Sequence, residues 1–304
     1  MAQPFIRLAG RRIDLTHVDQ TLFPEGITKQ EIITYYRTIA RVMLRHIHDR
    51  PLTLQRFPDG VGGKERLLST RPTHFPHWMP GATVKAEGNE TTYITASSPA
   101  DLVYLANQGM VSLCMGLSRV DRIDHPDRML FDLDPMESHF SKVTQAVNRL
   151  RRYLESLGLT SFVQTTGSRG LHLAVPIKRT ASFDEVRAFA ETVAGDMAAM
   201  YPDVLTTDAS GRNRERVHIN CARNAAGQYV IVPYSLRGLP GAPVATPLDW
   251  KELSNTDLSP EKYDIRSILR RLAQKSDPWE GMNRRASSLQ KARERISSVQ
   301  SGAA

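Results

Sequence analysis

Between residues 128 and 233 short apolar runs alternate with longer stretches of helical period, an order that few folds accommodate. The runs 128–133, 161–165, 171–176, 215–220 and 229–233 read as strands. The stretches 138–157 and 182–200 carry apolar residues at three- and four-residue spacing and read as helices. Elements interleaved in this way pack as a mixed α+β core. Upstream, 27–49 reads as an amphipathic helix with Thr28 as its N-cap and Pro51 as its stop. Strands at 52–57 and 91–96 follow, separated by the turn "DGVGGK" and a proline-punctuated loop over 71–80. Residues 98–109 read as a short helix capped by Ser98 and closed by Gly109. From about Asn283 the chain is polar and basic with no wide apolar face, so 283–304 is expected to be a disordered tail.

With 304 residues, 40% of them hydrophobic, the chain can bury a core of one large domain or two modest ones. Forty Lys and Arg against thirty-two Asp and Glu leave a net charge of +8, which favours polyanionic partners such as nucleic acid. No apolar run reaches the length of a membrane span, and "MAQPFIRLAGRR" lacks the apolar stretch of a signal peptide. The expected setting is therefore cytoplasmic, with no membrane partner. Cys114 and Cys221 form neither a metal-ligand cluster nor a disulfide framework, which argues against zinc.

The run 128–133 ends in "FDLDP". Strand alternation puts Asp132 and Asp134 on one face with Leu133 on the other, and Pro135 stops the ladder. Two carboxylates so close resist ionising together unless a cation lies between them, and a pair of divalent ions about 3.5–4 Å apart is the arrangement that supports phosphoryl transfer. The alternative is a strand-end turn in which Asp134 caps the helix beginning near Ser138.

Further on, "TTGSRGLHLAVP" (165–176) sets a tight turn with Gly167 and Gly170 between two strands. Thr166, Ser168, Arg169 and His172 there offer hydroxyls, a guanidinium and an imidazole suited to phosphate oxygens. A plain hairpin turn with a surface arginine and a satisfied histidine is the other reading. The segment "RVHINCARNAAGQYVIVPYSLRG" (216–238) contains two strands around a turn at Ala225–Gln228, with Arg223 after the first and Arg237 after the second, so that both cations could converge on one mouth. Either arginine could equally be a solvated surface residue.

These three blocks, in this order, resemble the polymerase domain of bacterial ligase D, a branch of the archaeo-eukaryotic primase superfamily used in non-homologous end joining. The resemblance extends to "RPLTLQRFPDG" (50–60), "YLANQG" (104–109), "DHPDR" (124–128), "PGAPVATPLDW" (240–250) and "DPWEGM" (277–282), nearly the whole chain. The ligase signature of a lysine followed by x-Asp-Gly is absent, so this looks like a stand-alone polymerase-type domain. The resemblance implies a primase-type α+β fold over 1–282, a mixed sheet flanked by helices, with a segment of about 1–110 packed on a catalytic core of about 111–282.

It also implies roles for particular residues. Asp132 and Asp134 match the paired metal ligands, for Mn2+ or Mg2+. Thr166, which stands where the family usually has serine, and His172 match contacts to the incoming nucleoside triphosphate, and Arg223 and Arg237 match further triphosphate contacts. Lys29, in "GITK", matches a lysine that grips the 5′-phosphate of a DNA end. The implied activity is nucleotide addition to a primer 3′-hydroxyl at gaps or DNA ends, in a nucleoid-associated setting, alongside a Ku-type end-binding protein and a separate ligase.

The pattern breaks at Asn220, which stands at the third metal-binding aspartate. Losing one carboxylate charge about 4 Å from a cation costs of order 4 kcal/mol at an effective dielectric near 20. That is about a thousandfold in occupancy or rate. Gln20, Cys114 and Gln228–Tyr229 also depart from the family, at a 5′-phosphate-binding cation, a histidine and a basic residue respectively. The resemblance thus leaves two readings, an enzyme of reduced activity or a catalytically silent DNA-end binder.

Overall fold

The computed structural model describes residues 4–86, 89–210 and 212–301, and its contacts divide the chain into two units. The first comprises 1–121, 229–246 and 263–275; the second comprises 122–228, 247–262 and 276–304. The division expected near residue 110 therefore falls at Asp121–Arg122, and two later segments return to the first unit.

The first unit begins with β1 (Phe5–Leu8) and β2 (Arg11–Asp14), an antiparallel pair whose turn residues Ala9 and Gly10 both have positive φ. Such a turn matches the twist of the strands it joins. Then come α1 (Lys29–Ile47), β3 (Leu52–Arg56), β4 (Arg66–Leu68), β5 (Gly81–Ala86), β6 (Asn89–Ile94), α2 (Pro99–Asn107), β7 (Met110–Gly116) and β8 (Ser118–Arg119). The second unit contributes β9 (Arg122–Pro126), β10 (Arg128–Asp134), α3 (Phe140–Ser156), β11 (Phe162–Thr165), β12 (Leu171–Pro176), α4 (Phe183–Met200), β13 (Leu205–Thr206) and β14 (Val217–Asn220). β15 (Tyr229–Ile231) and α5 (Ser267–Gln274) belong to the first unit, β16 (Pro247–Leu248) and α6 (Leu289–Ser301) to the second.

Three helices start at capping boxes written in the sequence as Thr-x-x-Glu, Ser-x-x-Asp and Ser-x-x-Glu. Thr28 with Glu31, Ser98 with Asp101 and Ser182 with Glu185 each exchange side-chain and backbone hydrogen bonds, satisfying donors the first helical turn leaves open. In the first unit the sheet runs β15-β7-β3-β6-β5, with β4 also on β3. α1 buries Ile32, Ile33, Tyr35, Tyr36, Ile39 and Met43 and packs against α2. The Tyr35 hydroxyl is kept buried by donating to the Tyr234 carbonyl at 2.7 Å.

The sheet of the second unit runs β13-β14-β10-β12-β11-β16, antiparallel except for β13 with β14. On β10 the odd positions Met129, Phe131 and Leu133 are fully buried and face Val175, Leu173 and Leu171 of β12 across the ladder. α3 packs its apolar stripe Val143, Val147, Leu150 and Leu154 on β10, β12 and β14, and α4 packs on β10 and β13. The primase-type α+β expectation holds.

Two local expectations do not. The strands on either side of 225–228 are not partners: β14 pairs with β10 and β13, and β15 pairs with β7. A shared hairpin is therefore not what could bring Arg223 and Arg237 together. The segment after Asn283, expected to fray, contains α6, with Leu289, Ala292 and Ile296 buried at helical spacing and the Arg293 guanidinium donating to the Glu185 carbonyl at 2.9 Å. Only one apolar residue per turn carries the stripe, too narrow to stand out in a Lys-, Arg- and Ser-rich sequence. Leu289→Ala is therefore expected to lower stability by about 2–4 kcal/mol in urea unfolding, where a disordered tail would show no change.

Candidate active site

Asp132 sits in the middle of the second unit's sheet, and the register fixes its neighbours. It lies opposite His172 of β12 on one side and Asn220 of β14 on the other, while Gln164 of β11 lies opposite His172. Directly opposed residues share a face, so Gln164, His172, Asp132 and Asn220 form one polar row. A second row contains Asp134, His218 and Thr206. Sequence reading missed Gln164 and His218; only the pairing register, which the strand patterns do not specify, puts them on the carboxylate face.

His172 Nε2 is 3.5 Å from Asp132 Oδ1, and Gln164 Nε2 is 3.4 Å from His172 Nδ1. With the Gln164 amide as donor, the ring proton is on Nε2 and faces Asp132. The side chains of His172 and Asp132 are 9% and 23% exposed, so the pair is sheltered without being closed off. Burial on its own raises the Asp132 pKa, but the His172 imidazole, by charge and hydrogen bond, and then Arg223 and His218, outweigh it and hold the carboxyl below its ordinary value.

Asp134 does two things at once. Its Oδ1 accepts from Met136 N–H at 3.0 Å, closing the turn after the strand, and its Oδ2 accepts from Arg169 Nη2 at 2.7 Å. It does not cap α3, whose N-cap position is His139 with no side-chain cap bond.

The turn that delivers Arg169 is built on Thr166. The Thr166 hydroxyl accepts from the backbone N–H groups of Ser168 and Gly170, each at 3.2 Å, lies 3.1 Å from the Gly170 carbonyl and 2.9 Å from the Ser168 hydroxyl. Gly167 has φ +67°, and a Cβ at Gly170 would stand 2.0 Å from the Leu133 carbonyl. The backbone of the turn therefore rests directly on the end of β10, which is what brings Arg169 to Asp134.

Asn220 lies across the ladder from Asp132. Its Oδ1 accepts from Ala222 N–H at 2.9 Å, starting the short 3-10 turn Ala222–Asn224 that carries Arg223. Asn224 anchors that turn: fully buried, it accepts from Leu130 N–H at 2.8 Å and donates to the Leu130 and Cys221 carbonyls at 2.7 and 2.9 Å. Its amide thus continues the β10 ladder where β14 has ended. Arg223 donates to the Gln228 amide oxygen at 3.4 Å, and its charge bears on Asp132.

Lys29 and Arg237 belong to the first unit. Lys29 is 5% exposed, donates from Nζ to the Thr16 carbonyl at 2.7 Å, and has a lowered pKa through burial and then the charge of Arg56. Gln20 donates to the Pro58 carbonyl at 2.7 Å, and Arg237 donates its backbone N–H to the Pro243 carbonyl at 2.8 Å. Cys114 is a buried β7 residue packed with Ile231, Ala245 and Tyr229.

The donor set fits one divalent cation better than two. Asp132 is held ionised, Asp134 shares its face, and the guanidinium on Asp134 is 71% exposed, an ion pair worth about 1 kcal/mol or less that a cation can displace. Asn220 offers a single neutral oxygen that is already committed. Among the described residues no three His, Cys, Asp or Glu side chains are gathered into a ready metal-binding group.

Residues 28–279 match the family described as the LigD primase-polymerase domain. The chain belongs to that family. It is 31% identical over 286 residues to the multifunctional non-homologous end joining DNA repair protein LigD of Mycobacterium tuberculosis, covering 90% of this chain and 37% of that protein. It is 26% identical over 272 residues to the bifunctional non-homologous end joining protein LigD of Bacillus subtilis, covering 88% of this chain and 44% of that protein. The chain thus spans less than half the length of these relatives. The polymerase domain from Mycobacterium tuberculosis ligase D, solved in complex with DNA, superposes with a TM-score of 0.84 at 30% identity, covering 90% of this chain and 99% of that one.

Removing the Asn224 clamp leaves two backbone groups of Leu130 buried without partners. Asn224→Ala is expected to cost about 2–4 kcal/mol in denaturant unfolding, well above the cost of Asn220→Ala.

Proposed function

We propose that this chain is a nucleotidyltransferase of non-homologous end joining repair, adding nucleotides to a primer 3′-hydroxyl at gaps or DNA ends. The observation that carries the reading is the pair Asp132 and Asp134 on one face of β10, with His172, Ser168, Arg169 and Arg223 around it. Family membership supports the reaction class.

Asp132 and Asp134 would hold Mn2+ or Mg2+, which when bound neutralises the triphosphate and activates the attacking oxygen. The chain's own groups bind and orient. His172, with Nε2–H toward the site, and Arg223 donate to triphosphate oxygens. Arg169, displaced from Asp134, is free to exchange a carboxylate for a phosphate, and Ser168 adds a hydroxyl donor. Thr166, with its hydroxyl committed to the turn, positions that loop. In the first unit, Lys29 is the cation for a DNA 5′-phosphate, its low-dielectric setting strengthening a contact with a dianion. The 3′-hydroxyl attacks the α-phosphorus and pyrophosphate leaves. Ku-type end binding and a ligase would act on the same ends.

The rate is low, because Asn220 withholds an anion where the attacking oxygen is activated. A second reading, a silent DNA-end binder, is favoured by the commitment of the Asn220 oxygen to Ala222 N–H.

Primer extension on a gapped, 5′-phosphorylated duplex with manganese separates the two. Slow extension by the wild type, none by Asp132→Ala and a gain in Asn220→Asp are expected. DNA binding without extension, and without gain in Asn220→Asp, would establish the silent binder.

A further inference from the structure

We propose that the outer face of the β1–β2 pair, built on Phe5, Arg7 and Arg12, is a binding site for single-stranded DNA, with the Phe5 ring stacking on an unpaired base and the two guanidinium groups taking the flanking phosphates. This goes beyond the reading of Lys29, because it needs no terminal phosphate.

The two faces of the pair are unlike. Alternation and the register Phe5–Asp14, Ile6–Ile13, Arg7–Arg12 and Leu8–Arg11 put Ile6, Leu8, Arg11 and Ile13 on one face and Phe5, Arg7, Arg12 and Asp14 on the other. On the inner face Ile13 is buried, and Arg11 Nη1 donates to the fully buried Asp101 carboxylate at 2.7 Å while its guanidinium carbon lies 4.8 Å from the centre of the Trp78 ring. The end of β2 is held as well: Asn107 donates its side-chain amide to the Asp14 carbonyl and accepts from Thr16 N–H, each at 3.0 Å. The inner face thus fastens the pair to α2, and the outer face is presented in a fixed direction.

The outer face has no such structural use. Phe5 is 47% exposed, and its cross-strand partner is Asp14, not an apolar residue. Arg7 stands directly opposite Arg12, and like charges facing one another across a ladder destabilise it. Asp14 lies 2.8 Å from Arg12 Nε, but both side chains are half exposed and the ion pair offsets little. Among the described residues Arg7 makes no hydrogen bond or ion pair. What the face does assemble is an aromatic ring with two cations against it: the guanidinium carbons of Arg12 and Arg7 are 4.4 and 5.9 Å from the Phe5 ring centre. That combination grips single strands, because any base has a face to stack and the arginines neutralise the backbone beside it.

An unpaired strand fits better than a duplex, whose bases are already stacked on both sides and closed to a ring. Phe5 and Arg7 are about 7 Å apart along β1, a reach of one or two nucleotides. Position favours DNA over an acidic peptide. β2 runs on to Thr16, whose carbonyl accepts from Lys29 Nζ at 2.7 Å. The four residues from Arg12 to Thr16 span at most about 14 Å. The platform therefore flanks the lysine assigned to a DNA 5′-phosphate, within the same unit, where an unpaired segment of that end is in reach.

The test is fluorescence anisotropy of a labelled oligodeoxynucleotide of about 12 nucleotides, without a 5′-phosphate, titrated with the full chain beside the blunt duplex of the same sequence. The wild type is expected to bind the single strand. Phe5→Ala and Phe5→Leu should each weaken that binding at least about fivefold and Phe5→Trp should keep it, with duplex affinity changed less than about twofold in all three. Arg7→Ala should lower the slope of log affinity against log salt by about 0.7. Absence of single-strand binding in the wild type, a Phe5→Leu variant that binds like the wild type, or equal losses on the duplex overturns the proposal. So does displacement of the strand by polyglutamate as readily as by unlabelled oligonucleotide, the mark of a charge patch without stacking. A 5′-phosphate added to the oligonucleotide reads the Lys29 site separately: the Phe5 losses should be the same with and without it, and losses seen only with it overturn the proposal. Thermal unfolding checks that each variant folds; should Phe5→Ala fail to, the Arg7→Ala slope decides, and an unchanged slope overturns the proposal.

Discussion

Strand register is the constraint on which the second unit's polar site depends. β10 has a hydrogen-bonded neighbour on each side, so the side chains beside Asp132 and Asp134 are dictated by which residues of β12 and β14 lie opposite. A slip of one residue would send both carboxylates to the apolar face and Leu133 to the polar one. Such a slip is opposed by Met129, Phe131 and Leu133 against β12, by the Asn224 amide clamped on Leu130, and by the contact of Gly170 with the Leu133 carbonyl. Packing on one face of the strand thus fixes the chemistry on the other.

Electrostatics on that face follow from the same placement. Burial works against a charge on Asp132, and the imidazole and guanidinium groups around it reverse the balance. Asp134 is neutralised by an exposed guanidinium on a turn that a side chain at position 170 would push away. Both carboxylates are thus covered by basic groups, of which the exposed Arg169 can leave. Across the ladder from Asp132, the oxygen of Asn220 is part of the backbone turn that carries Arg223, so the residue serves the architecture of the site.

Much of this was legible in the sequence, and the exceptions have physical causes. The N-caps Thr28 and Ser98 and the apolar runs of β10 and β12 are local patterns, and they located their elements to within a few residues. "FDLDP" was readable because alternation within a single strand is enough to put two side chains on one face. What depends on pairing between distant segments was not: His218 and Gln164 join the site only through register, and Asn224 looks like an ordinary turn residue until Leu130 is found opposite it. The assignment of β14 and β15 to different sheets was hidden for the same reason, since a short turn between two apolar runs is written alike whether or not the runs pair. In Thr166 a phosphate-type side chain proved to be the fastening of its own loop, a use that residue type alone does not reveal.

The central claim is that this face holds one cation well and a second poorly, because two carboxylates remain and the third ligand position has none. Calorimetric titration of manganese into the chain with a nucleoside triphosphate present measures this directly. The account predicts one tight manganese per chain in the wild type and a second, tighter than before, in Asn220→Asp. Two tight manganese ions in the wild type, or nucleotide binding indifferent to manganese, would contradict it.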